Sequence, residues 1–314
     1  MINDYKIAVI IPCYNEEKTI ERVILDFKAV LPDSSIFVYD NNSSDHTGEI
    51  AAQTGAIVIP APVQGKGNVI RQAFYEINAD CYILVDGDDT YGADCAPTMV
   101  TDVLERKADM VIGDRLSGSY FTENKRKFHN SGNKFVKNTI NKLFGVNYSD
   151  IMTGFRAFSK SFVKTFPVLS EGFEIETEMS IYAADKRLYV INEPCSYKDR
   201  PEGSSSKLNT IPDGMRVIRT IVKMVRLYKP LFFFGLIALI LIGLGIGFMI
   251  PVVWDYSVTK TVEKFPTLIV CGFAVLAGIE SLFTGLILTS VHTSNCRQYE
   301  QQRILVNTID KTNR

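Results

Sequence analysis

Short apolar segments alternate with stretches of helical periodicity along residues 1–210 of this 314-residue chain. The predicted strands cover residues 6–11, 35–39, 56–59, 81–85 and 110–112, and predicted helices end near Val30 and begin at Asp45 and Lys66. Such alternation is typical of a mainly parallel sheet with helices on both faces, in which ligands bind at the carboxyl ends of the strands. The sequence therefore predicts an α/β fold with a ligand-binding edge.

Two long apolar segments follow and define the domain organisation. Residues 231–253 are 23 consecutive uncharged positions, and residues 267–291 contain one charged residue, Glu280. A helix needs about 20 apolar residues to cross the hydrocarbon core of a bilayer. The sequence predicts a globular domain (residues 1–210), a juxtamembrane helix (211–230), two membrane spans (231–253 and 267–291), a loop between them (254–266) and a tail (292–314).

The basic residues predict the orientation of these spans. Five precede the first span, four follow the second and two lie in the loop: Arg216, Arg219, Lys223, Arg226 and Lys229; Arg297, Arg303, Lys311 and Arg314; Lys260 and Lys264. By the positive-inside rule, the globular domain and both termini are cytoplasmic and the loop is external. For a bacterial chain, this predicts a multi-pass protein of the inner or plasma membrane.

The juxtamembrane segment and the spans carry features of membrane helices. The first four of those basic residues fall on one helical stripe, and a second stripe is apolar: Ile218, Ile221, Val222 and Val225. This pattern is typical of an interfacial helix, with a helix packed on its own domain as the alternative. Gly243 and Gly247 have a spacing that permits close helix packing, and Glu280 is expected to face a partner helix or another subunit. We therefore expect a homo-oligomer.

Charge and cysteine content add little to this picture. The net charge of −1 averages acidic and basic regions, and no nucleic-acid partner is predicted. Six cysteines are scattered without a C-x-x-C pair or a zinc-like spacing: Cys13, Cys81, Cys95, Cys195, Cys271 and Cys296. This scatter favours a reduced domain facing the cytosol.

The most informative polar cluster is Asp86-Gly87-Asp88-Asp89-Thr90, directly after a predicted buried strand. Three crowded carboxylates repel one another unless a cation lies among them. Mg²⁺ and Mn²⁺ take oxygen ligands and can bridge a nucleotide diphosphate. The cluster therefore predicts a metal and diphosphate site, with an acidic surface turn as the alternative.

Three further clusters lie at the same predicted edge. Residues 12–17 (Pro-Cys-Tyr-Asn-Glu-Glu) end the first strand, and residues 40–45 (Asp-Asn-Asn-Ser-Ser-Asp) end the second. A carboxylate such as Asp40 can accept hydrogen bonds from a base or a ribose, whereas Asp45 fits a helix cap. Lys66, between Gly65 and Gly67, is a candidate to lie near a diphosphate.

These motifs, with five later ones in order, resemble family 2 glycosyltransferases of the GT-A fold. The later motifs are residues 113–115 (Gly-Asp-Arg), 124–133, 150–156 (Asp-Ile-Met-Thr-Gly-Phe-Arg), 173–178 (Phe-Glu-Ile-Glu-Thr-Glu) and 200–208. Within that family the chain is most similar to polyprenyl-phosphate glycosyltransferases, namely bactoprenol glycosyltransferases and, more distantly, dolichol-phosphate mannose synthases. The resemblance implies a GT-A domain followed by an interfacial helix and two transmembrane helices.

The resemblance also implies residue roles. The nucleotide sugar is assigned to Pro12, Tyr14, Asn15, Glu16, Asp40, Lys66, Asp86 and Gly87, and Mg²⁺ or Mn²⁺ to Asp86, Asp88 and Thr90. Thr90 departs from the mannose synthases, which have glutamine at this position, so water or Asp89 could replace that ligand. The catalytic residues are Asp88, Arg115 and Asp150, and for Asp150 a loop-bracing pair with Arg156 is the alternative. A set of basic residues is assigned to the lipid phosphate: Arg126, Lys127, Arg156, Arg200 and Lys207.

The implied reaction is inverting transfer of glucose or N-acetylglucosamine from a UDP-sugar to undecaprenyl phosphate. GDP-mannose as donor and a non-lipid acceptor are the alternatives. A processive polysaccharide synthase is disfavoured because its Gln-x-x-Arg-Trp motif is absent, the single tryptophan being Trp254 in the predicted loop. A non-catalytic adaptor would be expected to lose the acidic or basic residues, and both sets are present.

Overall fold

The computed structural model describes residues 5–115, 127–198 and 210–312. Its strands are β1 (Ile7–Cys13), β2 (Ser35–Asp40), β3 (Ile57–Pro60), β4 (Cys81–Leu84), β5 (Met110–Asp114), β6 (Arg156–Ser159) and β7 (Val190–Pro194). Its helices are α1 (Ile20–Val30), α2 (Thr47–Gln53), α3 (Lys66–Glu76), α4 (Ala96–Leu104), α5 (Lys127–Phe144), α6 (Lys160–Thr165), α7 (Ile175–Asp185), α8 (Thr210–Tyr228), α9 (Pro230–Thr259) and α10 (Phe265–Thr312).

The seven strands form one sheet in the order β3-β2-β1-β4-β6-β5-β7. Strand β1 pairs in parallel with β2 and β4, as do β2 with β3 and β5 with β7. Strand β6 runs antiparallel to both of its neighbours, β4 and β5. Strands β1, β4 and β5 are buried almost throughout, as expected when helices cover both faces of a parallel sheet. The predicted mainly parallel α/β fold is confirmed.

The register of the sheet brings the predicted polar clusters to one edge. In the β1–β2 pair Cys13 lies opposite Asp40, and in the β1–β4 pair Ile10 lies opposite Leu84. Because these three strands are parallel, the loops that follow them leave the sheet at the same, carboxyl edge. This is the edge at which such folds bind ligands.

The predicted elements of the first 112 residues agree with the structure to within two residues at each bound. The sequence analysis did not identify α4, β6 or β7. Strand β6 begins with Arg156, and β7 contains Asn192 and Glu193, so neither strand is a continuous apolar run. Helix α7 begins at Ile175, and residues 175–184 are all buried, so its polar side chains face other elements.

One pair of cysteines is bonded, contrary to expectation. Cys95 and Cys195 form a disulfide with a Cα–Cα distance of 5.7 Å, which links the turn before α4 to the end of β7. The expectation of reduced cysteines is wrong for this pair, because a bond between positions 100 residues apart leaves no short spacing in the sequence. Cys13, Cys81, Cys271 and Cys296 remain thiols.

The chain divides into two compact units, Met1–Val217 with Gln302–Arg314, and Ile218–Gln301. In the second unit, α9 and α10 are each long and apolar enough to cross a membrane. Both extend beyond the predicted spans. Because α9 reaches Thr259 and α10 begins at Phe265, the connection is residues 260–264 rather than 254–266.

The helices α9 and α10 pack through glycines other than the predicted pair. A Cβ on Gly245 would lie 2.8 Å from the side chain of Val275, and one on Gly278 would lie 2.6 Å from Ile242. Among the described residues, nothing lies within 4 Å of a Cβ built on Gly243 or Gly247. The expectation that Gly243 and Gly247 allow close packing is therefore wrong for this helix pair.

The described part of α8 is buried along only one strip. The predicted apolar residues Ile221 and Val225 are buried there, whereas Ile218 and Val222 are 48% and 49% exposed. The basic residues Arg219, Lys223 and Arg226 are exposed as well. Helix α8 therefore presents apolar and basic side chains next to its buried strip.

Candidate active site

The loops after β1 and β2 are joined by hydrogen bonds between their polar residues. The backbone N–H of Asn15 donates to Oγ of Ser43 (3.0 Å), and the backbone N–H of Ser44 donates to Oδ1 of Asn15 (2.7 Å). The backbone N–H of Glu16 donates to Oγ1 of Thr47 (2.8 Å), the first residue of α2. The first two predicted clusters therefore form one connected surface.

The predicted nucleotide-binding residues of these loops differ in accessibility. Tyr14 is 40% exposed, and Pro12 and Asp40 are half-buried. The carboxylate of Asp40 accepts a hydrogen bond from the backbone N–H of Ser43 (2.9 Å). Glu16 is buried, and its Cγ would lie 3.7 Å from a Cβ built on Gly87 in the loop after β4.

The acidic loop after β4 packs closely beneath this surface. A Cβ on Gly87 would lie 2.7 Å from Sγ of Cys13, so only glycine fits there without a shift of its neighbours. The carbonyl of Gly87 accepts a hydrogen bond from the hydroxyl of Thr19 (2.7 Å). The backbone between Asp86 and Asp88 is thus held against β1 and the residues that precede α1.

Within the acidic loop, the three residues after Gly87 have distinct partners. The hydroxyl of Thr90 donates to Oδ1 of buried Asp88 (2.6 Å), as does the backbone N–H of Thr90 (3.2 Å). The carboxylate of Asp89 lies 2.7 Å from Nζ of Lys198 and 3.7 Å from Nε of Arg22. Thr90 therefore orients Asp88. Asp89 pairs with two basic side chains, those of Lys198 and Arg22, and does not take the place of Thr90 as a metal ligand.

Lys66 lies between two carboxylates. Its Nζ is 2.5 Å from Oδ1 of Asp86 and 2.6 Å from Oε1 of Glu176, and only 7% of its side chain is exposed. Burial alone would lower the pKa of Lys66, but the two carboxylates outweigh burial and raise that pKa above its ordinary value. Burial raises the pKa of Glu176, and the ammonium group of Lys66 partly offsets that rise.

The predicted catalytic pair Arg115 and Asp150 is brought together. Nε of Arg115 donates to Oδ2 of Asp150 (2.6 Å), and the guanidinium carbon lies 5.7 Å from the ring centroid of Tyr197. The other carboxylate oxygen of Asp150 accepts from the backbone N–H of Met152 (3.1 Å). The ion pair of Asp150 is thus with Arg115 and not with Arg156, the partner in the loop-bracing alternative.

Arg156 occupies a different environment from the one predicted. Its side chain is fully buried and donates to the carbonyls of Ile151 (2.6 Å) and Thr153 (3.0 Å) and to Oγ of Ser180 (3.0 Å). Burial lowers the pKa of Arg156 to about 10. The guanidinium group braces the loop before β6 from inside, so the geometry contradicts a direct contact with a lipid phosphate.

The three glutamates of residues 173–178 have different hydrogen-bond and ion-pair partners, which could not be predicted from their spacing. The carboxylate of Glu178 accepts from the backbone N–H groups of Leu169 (3.1 Å) and Ser170 (2.8 Å). Glu174 accepts from the backbone N–H of Gly172 (3.4 Å), and Glu176 pairs with Lys66. Glu176 therefore joins the candidate site, as does Lys198, which no motif had singled out.

For four predicted lipid-phosphate residues the structure describes no side chain. Arg126, Arg200 and Lys207 lie outside the described residues, and for Lys127, the first residue of α5, only the backbone is described. Their assignment stays a prediction.

The donor set of the acidic loop suits a hard divalent cation. Asp86 and Asp88 both follow β4 and offer carboxylate oxygens, and Asp88 is held in one orientation by Thr90. Magnesium is usually bound by one or two carboxylates together with substrate phosphates, so two such side chains suffice. Fold and site together define an α/β protein with a cluster of charged residues at the carboxyl edge of its sheet, the edge at which such folds bind ligands.

Comparison with known proteins names the family. The chain belongs to glycosyltransferase family 2, because the model described as "Glycosyl transferase family 2" matches residues 8–166. It is 29% identical to glycosyltransferase AglJ of Haloferax volcanii over 299 residues, 94% of this chain and 97% of that protein. It is 27% identical to the dolichyl-phosphate hexose transferase of the same organism over 217 residues, 69% of this chain and 92% of that protein. The chain is therefore a glycosyltransferase, as the resemblance implied.

Solved structures support the fold. Glucosyl-3-phosphoglycerate synthase from Mycobacterium tuberculosis, in complex with Mn²⁺, UDP-glucose and phosphoglyceric acid, matches with a TM-score of 0.57 and 20% identity. The match covers 71% of this chain and 80% of the other. This likeness confirms the GT-A-like architecture of the catalytic domain.

Proposed function

We propose that this chain transfers a hexose from a nucleotide sugar to a polyprenyl phosphate, giving a lipid-linked monosaccharide. The observation that carries the proposal is the presence, in one chain, of the charged cluster at the sheet edge and two helices able to cross a membrane. An enzyme of this construction is suited to an acceptor that resides in lipid. The relative named as a dolichyl-phosphate hexose transferase supports this acceptor class.

In the proposed reaction, an oxygen of the lipid phosphate attacks the anomeric carbon of the sugar. The bond to the nucleoside diphosphate breaks with inversion, and the diphosphate leaves with the electron pair. A phosphate monoester, with a second pKa of about 6, is already ionised at neutral pH, so no general base is required. Arg115 would attract the two anionic substrates, because its planar donors suit phosphate oxygens, and Asp150 would fix its orientation.

A divalent cation, Mg²⁺ or Mn²⁺, is part of the proposal. Asp86 and Asp88 would hold the cation, which when bound would neutralise charge on the leaving diphosphate. Thr90 contributes by holding the carboxylate of Asp88. Tyr14 and Asp40, which are accessible at the same edge, are the proposed contacts to the nucleoside.

The proposed donor is UDP-glucose or UDP-N-acetylglucosamine, and the proposed acceptor is undecaprenyl phosphate, for modification of a cell-wall or surface polysaccharide. GDP-mannose and a non-lipid acceptor are the alternatives.

The test uses purified protein with each radiolabelled donor and either undecaprenyl phosphate or undecaprenol. We expect a chloroform-soluble product from one donor and only with the phosphorylated lipid. Label that enters protein or long polymer, with no lipid product, would contradict the acceptor class.

We further propose that α9 and α10 cross the membrane with the catalytic domain and both termini in the cytoplasm. The excess of basic residues in α8 and after the second span supports this orientation. A Lys264→Cys variant should react with an impermeant maleimide in intact cells, and a Thr308→Cys variant only after lysis. The reverse pattern would contradict the orientation.

We also propose a homo-oligomer, in which the face of α10 that points away from α9 contacts a second copy of the chain. Glu280 is exposed and lies 200° around the helix from Gly278, which faces α9, because each residue turns a helix by about 100°. A carboxylate facing lipid at mid-span costs about 3 kcal/mol, and contact with a second copy would remove that exposure. We expect a Glu280→Leu variant to lower the mass of the purified particle, whereas Leu288→Ala should not. An unchanged mass would contradict an interface at Glu280.

A further inference from the structure

Lys66, Asp86 and Glu176 form a charged triad in which one ammonium group serves two carboxylates. Lys66 begins α3, Asp86 follows β4 and Glu176 lies in the first turn of α7, so three separate elements meet at this point. The exposed fractions of the three side chains are 7%, 27% and 6%, respectively. Asp86 is therefore the member of the triad through which a ligand at the sheet edge can be reached.

The ammonium group of Lys66 is confined. A Cβ built on Gly154 would lie 2.9 Å from Nζ of Lys66, and the ring centroid of Phe173 lies 5.9 Å from the same nitrogen. In this position Lys66 acts on Asp86 rather than reaching out to a diphosphate. The predicted direct contact of Lys66 with the nucleotide sugar is thus replaced by an indirect one.

The ammonium group of Lys66 contacts both Asp86 and Glu176, so the strength of its ion pair with Asp86 depends on its ion pair with Glu176. Without the carboxylate of Glu176, the ammonium group of Lys66 would pair with Asp86 alone and compete more strongly with a divalent cation for that carboxylate. Without the ammonium group of Lys66, that competition would be absent whether or not Glu176 is present.

We propose that Glu176 is a positioning residue, which acts through Lys66 to set the affinity of Asp86 for the divalent cation. This inference rests on the proposed function, in which Asp86 is a ligand of that cation. It assigns Glu176 no contact with the reacting atoms. It differs from a purely structural role because the two partners of the pair should shift cation affinity in opposite directions.

The test is a double-mutant cycle of Glu176→Gln and Lys66→Met in the purified full-length chain with UDP present. Free Mn²⁺ is measured by electron paramagnetic resonance during titration, so the readout does not depend on activity. A hydrogen-bonded ion pair supports roughly a tenfold effect, so we expect Glu176→Gln to weaken and Lys66→Met to tighten Mn²⁺ binding by about that factor. Because Glu176 acts through Lys66, the double variant should bind Mn²⁺ as Lys66→Met does, to within about threefold; a double variant in which the two single effects simply cancel would show that the residues act independently and would overturn the proposal.

Two exposed positions provide matched controls, Glu171→Gln and Lys142→Met, and neither should change Mn²⁺ affinity. If Glu176→Gln does not fold, Glu176→Asp keeps the charge but shortens the reach to Lys66, and should weaken binding by a smaller factor. Shifts of both single variants in the same direction, or no shift in either, would overturn the positioning role. Absence of any Mn²⁺ binding by the wild type would instead overturn the cation site itself.

Discussion

A buried arginine can satisfy a family motif without touching the substrate, as Arg156 does. Its guanidinium group bonds two carbonyls and a hydroxyl, all in the interior. We predict that Arg156→Met lowers the free energy of unfolding by about 3 kcal/mol, because three buried groups each lose a hydrogen bond to the guanidinium group. Thermal unfolding in detergent measures this, with Lys142→Met as the control. A variant of normal stability with weakened binding of the lipid phosphate would contradict the assignment.

Thr90 provides a prediction about metal affinity. Its hydroxyl holds Oδ1 of Asp88 at 2.6 Å. Loss of a hydrogen bond to a charged group is worth about 2 kcal/mol, so Thr90→Ala should raise the half-activating Mn²⁺ concentration roughly tenfold or more. Thr90→Ser retains the hydroxyl and should stay close to wild type. Equal effects of both substitutions would argue against an orienting role.

Residue roles were harder to predict than residue identities. The resemblance assigned Arg115 and Asp150 to the site one by one, and their ion pair, between residues 35 positions apart, could be seen only in the structure. The three alternating glutamates could not be told apart, because their partners are set by the tertiary packing of α7 against α3 and the loop at Leu169. The contact of Lys198 with Asp89 was missed for the same reason, since 109 positions separate the two residues.

At the scale of elements, the close packing of α9 on α10 allows a matched pair of substitutions. A leucine at Gly245 would collide with Val275, whereas a leucine at Gly243 would meet open space in the described structure. We predict that Gly245→Leu lowers the unfolding temperature of the purified protein and that Gly243→Leu leaves it nearly unchanged. Circular dichroism during heating measures both. If Gly243→Leu were the more damaging, the assigned packing face would be wrong or that face would contact another subunit.

Strands with strong apolar runs were predictable, and elements defined by tertiary pairing were not. The strands β1, β2 and β4 are apolar enough to be recognised and end in polar loops, so the sequence correctly predicted that these loops lie at one edge of the sheet. Strand β6 begins with the charged Arg156, which becomes buried only because the preceding loop folds over it. Helix α7 has no solvent-facing side, so no amphipathic period marked its start.

For the whole molecule, we propose a metal-dependent catalytic domain joined to a membrane anchor. Removal of divalent cations with a chelator should abolish transfer, and added Mn²⁺ or Mg²⁺ should restore it, because the leaving diphosphate then regains its counter-charge. The measurement is product formation before and after readdition. Full activity in excess chelator would contradict a cation site at Asp86 and Asp88.

The most direct test of the central claim is transfer of labelled sugar to undecaprenyl phosphate by the purified full-length chain, with wild type beside Asp88→Asn. The isosteric amide removes the charge of Asp88 while preserving its size. We predict a chloroform-soluble product that requires both the lipid phosphate and a divalent cation, and a loss of at least about a hundredfold in Asp88→Asn, as for removal of a group that stabilises transition-state charge. A lipid-linked product formed equally well by the variant, or none formed by a wild type that transfers sugar to another acceptor, would contradict the account.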